Sequence, residues 1–241
     1  GTYTYFMPDI AYHNIKLSRG YNRIFNIWGS DHKSYADRMS IAIQLLGHKK
    51  DELVVLIMQM VRLVKNGEEF KMSKRSGVSL TLQDLLDTVG KDAARWYLVS
   101  QALSTHLEID VDKATSKSSD NPLYYVQYAH ARINQLKKKA HTYAWPKDYD
   151  LLTNKGELDL INMLQYYKHV VEMIATNYEV HKMPLYLTNL AKSFHSYYAN
   201  NKVIDETNLP LTEQRLQLAL AVKQVIKNGL ELLGITATDQ M

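Results

Sequence analysis

The sequence predicts an α/β region followed by an all-α helical bundle. Over residues 1–113, short β-branched or apolar runs alternate with stretches of helical spacing, which is typical of α/β sheets. Over residues 122–233, apolar residues recur at helical spacing without a convincing strand pattern. A polar, turn-rich stretch at 115–122 separates the two patterns. We therefore place a domain boundary between residues 113 and 114.

The first region opens with a predicted helix, strand and second helix. Pro8 suits the first position of a helix, which would put Asp9 in the first turn. The apolar run 24–28 predicts a buried strand. Residues 32–46 then show helical spacing, and Gly47 is a natural stop.

The rest of this region mixes short strands and helices. Residues 53–64 predict one bent strand or a pair, because they are apolar and β-branched. Thr81 is predicted to cap a short helix, and residues 92–103 predict a second helix. Residues 104–122 interrupt this rhythm.

Four helices are predicted in the second region. The first has Pro122 near its start, Pro184 opens the third, and Gly234 closes the fourth. Their predicted ranges are 122–139, 157–178, 184–200 and 211–233. Four helices of this length predict a bundle.

Composition narrows the functional classes. The chain has 241 residues, 46% of them hydrophobic, and no cysteine, which excludes disulfides and thiolate metal sites and agrees with a cytoplasmic protein. No apolar run approaches the roughly 18 residues of a membrane helix, so no membrane partner is expected. The histidines lack metal-ligand spacing, and no structural metal is predicted. A net charge of +4 is mild, so RNA binding would require local patches.

The run Lys71-Met72-Ser73-Lys74-Arg75 is the most informative motif. Three cations on one loop can neutralise the charge that builds on a triphosphate during attack at its α-phosphate. The alternative is a solvated basic loop. Gly77 follows, and the order of the run favours the phosphate hypothesis.

Two further motifs surround a possible small-molecule site. Gly29-Ser30-Asp31-His32 follows a predicted strand, and ligands of open α/β sheets bind at the carboxyl ends of strands. It could instead simply cap the next helix. Tyr5 and Asp9 could satisfy the planar donor fork of a guanidinium, although Asp9 could equally complement a helix dipole.

Aromatic residues open the second region. Tyr125, Tyr128 and Arg132 lie at i, i+3 and i+7, so they share one helical face. Aromatic rings beside a cation can stack unpaired RNA bases. Taken alone, such a stripe more often packs against neighbouring helices.

Together these motifs resemble arginyl-tRNA synthetases, which are class I aminoacyl-tRNA synthetases. The resemblance implies site residues in four groups. The catalytic residues would be Lys71, Ser73 and Lys74; ATP would be bound by Gly29, Asp31, His32, Lys71, Met72 and Lys74; arginine would be bound by Tyr5, Asp9 and Asp31; and tRNA would be bound by Tyr125, Gln127, Tyr128, Arg132 and Met241.

The resemblance covers the later part of the family pattern. It implies the second half of a Rossmann-like catalytic domain with connecting helices over 1–113, and an anticodon-binding domain over 114–241. The family's earlier His-x-Gly-His element is not found, so we expect a C-terminal fragment that binds tRNA-Arg but is inactive alone. ATP with Mg²⁺, arginine and tRNA-Arg are the implied partners of a cytoplasmic monomer.

Two alternatives remain open. The chain could be a free-standing RNA-binding module with a vestigial α/β region, but the intact run at 71–75 argues against this. It could instead resemble another class I synthetase, such as the cysteinyl type. The absence of cysteine ligands for zinc, and the Tyr5 and Asp9 pair, argue against that alternative.

Overall fold

The computed structural model describes residues 4–70, 81–140 and 144–241. Contacts divide the chain into two compact units. The first unit consists of Gly1–Arg62 and Leu103–Glu108, and the second of Leu63–Ala102 and Ile109–Met241. This division describes packing, and the domain boundary at 113/114 stays a prediction.

The first unit contains an α/β arrangement. Its elements are α1 (Phe6–Leu17), β1 (Ile24–Gly29), a 3-10 turn (Ser30–His32), α2 (Lys33–Leu45), a second 3-10 turn (Lys50–Glu52) and β2 (Leu53–Met58). Strands β1 and β2 are parallel, with Ile24 opposite Leu53 and Gly29 opposite Met58. The predicted α/β character is confirmed.

A small apolar core holds this unit together. Leu17 of α1, Met39 and Ile43 of α2, and Leu53 of β2 form a buried cluster. Met39 and Ile43 are four residues apart, so they lie on one face of α2. The predicted position of Pro8 is wrong by two residues, because α1 begins at Phe6. Pro8 still lies in the first turn, where a backbone N–H needs no intrahelical partner.

Three strands form a second sheet in the order β4-β3-β5. They are β3 (Val61–Lys65), β4 (Glu68–Glu69) and β5 (Leu107–Asp110). Strands β3 and β4 are an antiparallel hairpin, and its turn residues Asn66 and Gly67 have φ of 52° and 77°. Positive φ at both positions is typical of a tight hairpin turn. Residues 53–64 therefore form parts of a pair of strands, the second of the two forms predicted.

Short helices connect the sheet to the bundle. They are α3 (Leu82–Val89), α4 (Lys91–Val99) and α5 (Val111–Thr115). Thr81 caps α3 as predicted, and the side chain of Asp84 accepts a hydrogen bond from the backbone N–H of Thr81 in return. Helix α4 ends four residues before the predicted end at 103. Strand β5 and helix α5 had no counterpart among the predicted elements.

Four long helices form the bundle. They are α6 (Pro122–Lys139), α7 (Lys155–Asn177), α8 (Lys182–Asn200) and α9 (Leu209–Leu232). The bounds of α6 match the prediction, because Asn121 caps the helix and Pro122 occupies its first turn. The core includes Phe194, Leu187 and Ile226, each fully buried. The predicted all-α bundle is confirmed.

A buried ion pair joins two of these helices. The Nε of Arg215 in α9 lies 2.7 Å from Oε1 of Glu157 in α7, whose side chain is 1% exposed. The hydroxyl of Tyr197 in α8 donates to the same oxygen over 3.3 Å. Three helices are thus tied to one carboxylate.

No helix in the described parts of the chain is both long enough and apolar enough to span a bilayer.

Candidate functional site

The second unit, Leu63–Ala102 and Ile109–Met241, contains the bundle and is called the helical unit below. It carries a cluster of aromatic and cationic side chains on α6 and α8. The buried side chain of Asn121 accepts hydrogen bonds from the backbone N–H groups of Leu123 and Tyr124 and donates to the carbonyls of Ala114 and Ser116. These bonds fix the start of α6, and therefore the direction of the tyrosines one turn later.

Histidine 195 of α8 fits between two of the predicted tyrosines. Its ring centroid lies 4.5 Å from that of Tyr125 and 5.7 Å from that of Tyr128. Its Nε2–H donates to the carbonyl of Tyr125 over 3.3 Å. Burial lowers the pKa of His195, which favours the neutral form of the ring.

Arginine 132 lies between two aromatic rings. Its guanidinium carbon is 5.0 Å from the ring centroid of Tyr128 and 4.8 Å from that of Tyr198. Both distances are within the range of cation–π attraction. The cation is therefore fixed at the surface of the aromatic cluster.

A cavity of about 270 Å³ opens beside this cluster. Tyr128, Arg132, Tyr198 and Met241 are among its lining residues. Tyr128 is 36% exposed and Met241 is 51% exposed, so both side chains are accessible to solvent at the cavity. Such a surface can stack an unpaired base and attract the phosphate that follows it.

The structure brings together three of the residues predicted to bind tRNA and separates two. Tyr128, Arg132 and Met241 line the cavity. Tyr125 packs on His195 and is not among the lining residues, while Gln127 is 8% exposed and donates to the carbonyl of Thr236 over 2.8 Å. The predicted role of Gln127 in RNA contact stays a prediction, although its side-chain amide is engaged within the protein.

The predicted site residues include neither His195 nor Tyr198. Both lie on α8, about seventy residues after Tyr128 along the chain. The only sequence signal was their aromatic character on one helix, which is also common in a bundle core.

In the first unit, Gly1–Arg62 and Leu103–Glu108, called the α/β unit below, a hydrogen-bond network positions Asp9. The Tyr35 hydroxyl donates to Oδ2 of Asp9 over 2.8 Å. His13 Nδ1 donates to the backbone carbonyl of Asp9 over 2.8 Å and lies 3.1 Å from Oδ1. His13 is 2% exposed, and its Nε2 accepts from Asn26 over 2.5 Å. Burial and the neighbouring Asp9 carboxylate raise the pKa of Tyr35 to about 12. Tyr35 therefore remains a hydrogen-bond donor to the carboxylate at neutral pH.

The other predicted residues of this unit lie at its surface. Asp31 and His32 occupy the 3-10 turn after β1, with side chains 79% and 55% exposed. The ring of Tyr35 lies 6.1 Å from that of His32, so Tyr35 neighbours both His32 and Asp9. Tyr5 is 94% exposed at the start of α1.

Gly29 occupies the end of β1. A Cβ at this position would lie 2.7 Å from Oδ1 of Asp31, so a side chain there would displace the Asp31 carboxylate. The predicted phosphate-binding residues Lys71, Met72, Ser73 and Lys74, together with Arg75, lie outside the described residues.

Metal ligation has no candidate in the described residues. Among residues 4–70, 81–140 and 144–241, no group of three histidine, aspartate or glutamate side chains is arranged to hold an ion.

Comparison with known proteins finds sequences and structures that are similar to this chain. The DALR anticodon binding domain family matches residues 126–241. An arginine–tRNA ligase of Malacoplasma penetrans is 55% identical over 244 residues, which cover 98% of this chain and 43% of the relative. The chain matches the C-terminal part of arginyl-tRNA synthetases. The arginine–tRNA ligase of Listeria monocytogenes, 44% identical over 245 residues, is covered to a similar extent, 44%.

Solved synthetase structures share the fold. A structure described as an arginyl-tRNA synthetase of Campylobacter jejuni is 37% identical, with a TM-score of 0.88 over the whole of this chain and 53% of the other. The arginyl-tRNA synthetase of Thermus thermophilus has a TM-score of 0.81 at 21% identity, which shows the fold alone. The predicted resemblance is confirmed, and the chain spans less than half the length of the curated synthetases that it matches.

Proposed function

We propose that this chain is part of an arginine–tRNA ligase. Such an enzyme joins arginine to ATP, releasing pyrophosphate, and then transfers arginine to the terminal ribose of tRNA-Arg. The observation that carries the proposal is the 55% identity to an arginine–tRNA ligase over 98% of this chain. ATP would enter with Mg²⁺ as its substrate complex. The cations Lys71 and Lys74 would stabilise charge on its phosphates, and Ser73 would help to orient the loop.

The α/β unit would contribute to the recognition of arginine. Asp9 is held by Tyr35 and His13, so its carboxylate is oriented before a ligand arrives. A preoriented carboxylate suits the guanidinium of arginine, and with a neutral amino acid it would lack a cationic partner from the substrate. Asp31 and Tyr5 would complete this site, while Gly29, Asp31 and His32 would face the nucleotide.

The helical unit would bind the anticodon loop of tRNA-Arg. An unpaired base would stack on the exposed ring of Tyr128 in the cavity, and Arg132 would meet an adjacent phosphate. By itself, the chain would bind tRNA without activating arginine. We place it in the cytoplasm as part of a monomer.

A tRNA titration tests the RNA-binding proposal. Binding to a tRNA-Arg transcript is compared with binding to the same transcript with a changed anticodon, at one moderate salt concentration. We expect tighter binding of the unchanged transcript. Tyr128→Ala should weaken binding by about 1–3 kcal/mol, the cost of one lost base stack.

A matched tyrosine serves as the control. Tyr166 of α7 is 50% exposed and lines a different cavity, so Tyr166→Ala should leave the affinity unchanged. Equal binding of both transcripts would contradict anticodon recognition and leave only general phosphate contact.

The arginine proposal is tested in a longer chain that carries a complete synthetase catalytic domain. Asp9→Asn should weaken arginine use by roughly 1.5–3 kcal/mol, as expected for a lost charge-assisted hydrogen bond. Pyrophosphate exchange measured against arginine and against ATP separates the two substrates. An unchanged dependence on arginine would remove Asp9 from the site.

A further inference from the structure

Three polar side chains on α6 grip a segment that follows α9. Gln127 Nε2 donates to the carbonyl of Thr236 over 2.8 Å, His130 Nδ1 to that of Thr238 over 2.8 Å, and Asn134 Nδ2 to that of Asp239 over 3.1 Å. The three donors are spaced at i, i+3 and i+7, so they form one row along the helix. We call residues 236–241 the strap.

All three donors are buried. Their residues are 8%, 1% and 8% exposed for Gln127, His130 and Asn134. A buried polar group that loses its partner costs free energy, whereas an apolar residue would pack α6 without any partner. The three buried donors therefore have these hydrogen-bond partners only when the strap is in place. Because its bonds go to main-chain carbonyls, the row fixes the path of the strap independently of the strap's side chains.

Two further contacts secure the ends of the gripped stretch. The Asp92 carboxylate of α4 accepts from the backbone N–H of Thr236 over 3.2 Å. Lys223 Nζ of α9 lies 3.1 Å from Oδ1 of Asp239 and donates to Oδ1 of Asn134 over 2.6 Å. Lys223 thus orients the Asn134 amide so that its NH₂ group faces the strap.

The strap leads directly to the aromatic cavity. Met241, two residues after the last gripped carbonyl, lines that cavity with Tyr128, Arg132 and Tyr198. One helix, α6, therefore supplies the ring and the cation of the cavity and also the row that binds the segment leading to Met241.

We propose that Gln127, His130 and Asn134 are positioning residues that hold the strap so that Met241 closes the RNA-binding cavity. The inference rests on the proposed RNA-binding function of that cavity. It gives Gln127 and His130 a role without contact to RNA, since both act through the strap.

The test uses the 241-residue chain and three variants. His130→Leu and Gln127→Met each remove one donor at similar side-chain size, and His130→Asn restores a donor near the Nδ1 position. Hydrogen exchange of the Thr236 amide, whose N–H donates to Asp92, and the methyl NMR signal of Met241 report the strap without RNA. Titration with the tRNA-Arg transcript then reports the cavity.

We expect faster exchange of the strap, a shifted Met241 signal and a roughly tenfold higher dissociation constant in both donor-less variants. His130→Asn should recover most of each change. Tyr186→Phe is the matched control: it removes the hydrogen bond from the Tyr186 hydroxyl to the Met163 carbonyl in the same unit, and the strap and the RNA affinity should stay as in the wild type.

Two outcomes would overturn the inference. The row does not hold the strap if exchange stays slow in Gln127→Met and His130→Leu. The strap does not form a wall of the cavity if it is released and the RNA affinity is unchanged. Failure of the wild-type chain to prefer the correct anticodon is a different result: it removes the proposed function, while the exchange data still decide the positioning role.

Discussion

The two units differ in how completely they assemble their predicted sites. In the helical unit, Tyr128, Arg132 and Met241 line one cavity, and buried hydrogen bonds from Gln127 and His130 hold Thr236 and Thr238, in the segment that leads to Met241. In the α/β unit, Asp9 is oriented by its neighbours, whereas Tyr5 and Asp31 are largely exposed. The helical unit therefore has an aromatic cavity that is formed without a ligand, and the α/β unit has one oriented carboxylate.

The same contrast appears in the packing. Phe194, Leu187 and Ile226 of the bundle are fully buried, while Phe25 and Ile27 of β1 are 48% and 63% exposed. Parallel strands normally have both faces covered. The helical unit should thus be the more stable of the two, and four predictions probe that difference.

Breaking the buried ion pair should have the largest effect. Arg215→Ala leaves the Glu157 carboxylate buried without its cation, which costs about 3–5 kcal/mol. Amide hydrogen exchange should accelerate in α7 and α9 and stay unchanged in α1 and α2. The double variant Arg215→Ala/Glu157→Gln should regain part of the loss. Equal acceleration of exchange in both units would contradict the expected difference in their stability.

Overpacking the helix interface should have a smaller effect. A Cβ on Gly229 of α9 would lie 2.7 Å from Cδ2 of Leu187 in α8, so Gly229→Ala should destabilise the bundle by about 1–3 kcal/mol. Adding Leu187→Val, which removes a methylene from the same contact, should restore part of the stability. Urea denaturation followed through the buried Trp96 measures both variants.

Removing one hydrogen bond in the α/β unit should cost less. Tyr35→Phe deletes the bond to Asp9, a loss of about 0.5–1.5 kcal/mol. Exchange should accelerate in α1 and α2 and not in α6. A decrease comparable to that of Arg215→Ala would reverse the expected order of the two units.

The smallest effect is a pH dependence in the helical unit. Burial lowers the pKa values of His130 and His195 below 6.5, their ordinary value. As the pH falls through 6.5, the unfolded chain binds protons that the folded chain does not, so the free energy of unfolding decreases until the folded pKa values are reached.

The environment of both rings agrees with this sign. Lys223 and Lys227 oppose protonation of His130, with Asp239 acting in the other direction, and Arg132 opposes protonation of His195. His130→Asn should flatten the dependence of the urea midpoint on pH below about 6.5. An unchanged slope in that variant would mean that His130 titrates normally.

Local signals explain what the sequence could predict. Helix α6 was predicted at its observed bounds because Asn121 and Pro122 mark its start in the sequence itself. Strand β5 was missed because four residues, Leu107–Asp110, leave too short a pattern, and the partner strand β3 lies some forty residues earlier.

The candidate site depended on long-range contacts in the same way. Helical spacing correctly put Tyr128 and Arg132 on one face, but no spacing could show that the segment after α9 covers Gln127. For the same reason, the link between Tyr35 and Asp9 was not predicted. Sequence patterns predicted the chemistry of each single helix or strand. The contacts between these elements depend on tertiary packing, which the patterns do not show.

The turn after α9 limits how related sequences can diverge. Gly234 has φ of 67°, and a Cβ there would lie 2.7 Å from Nε of Arg95, which donates to the Leu233 carbonyl over 2.6 Å. A side chain at position 234 would therefore be selected against, and a change at position 95 would relieve the contact without removing the cost of the positive φ. Position 234 should remain glycine in related sequences whatever residue stands at position 95.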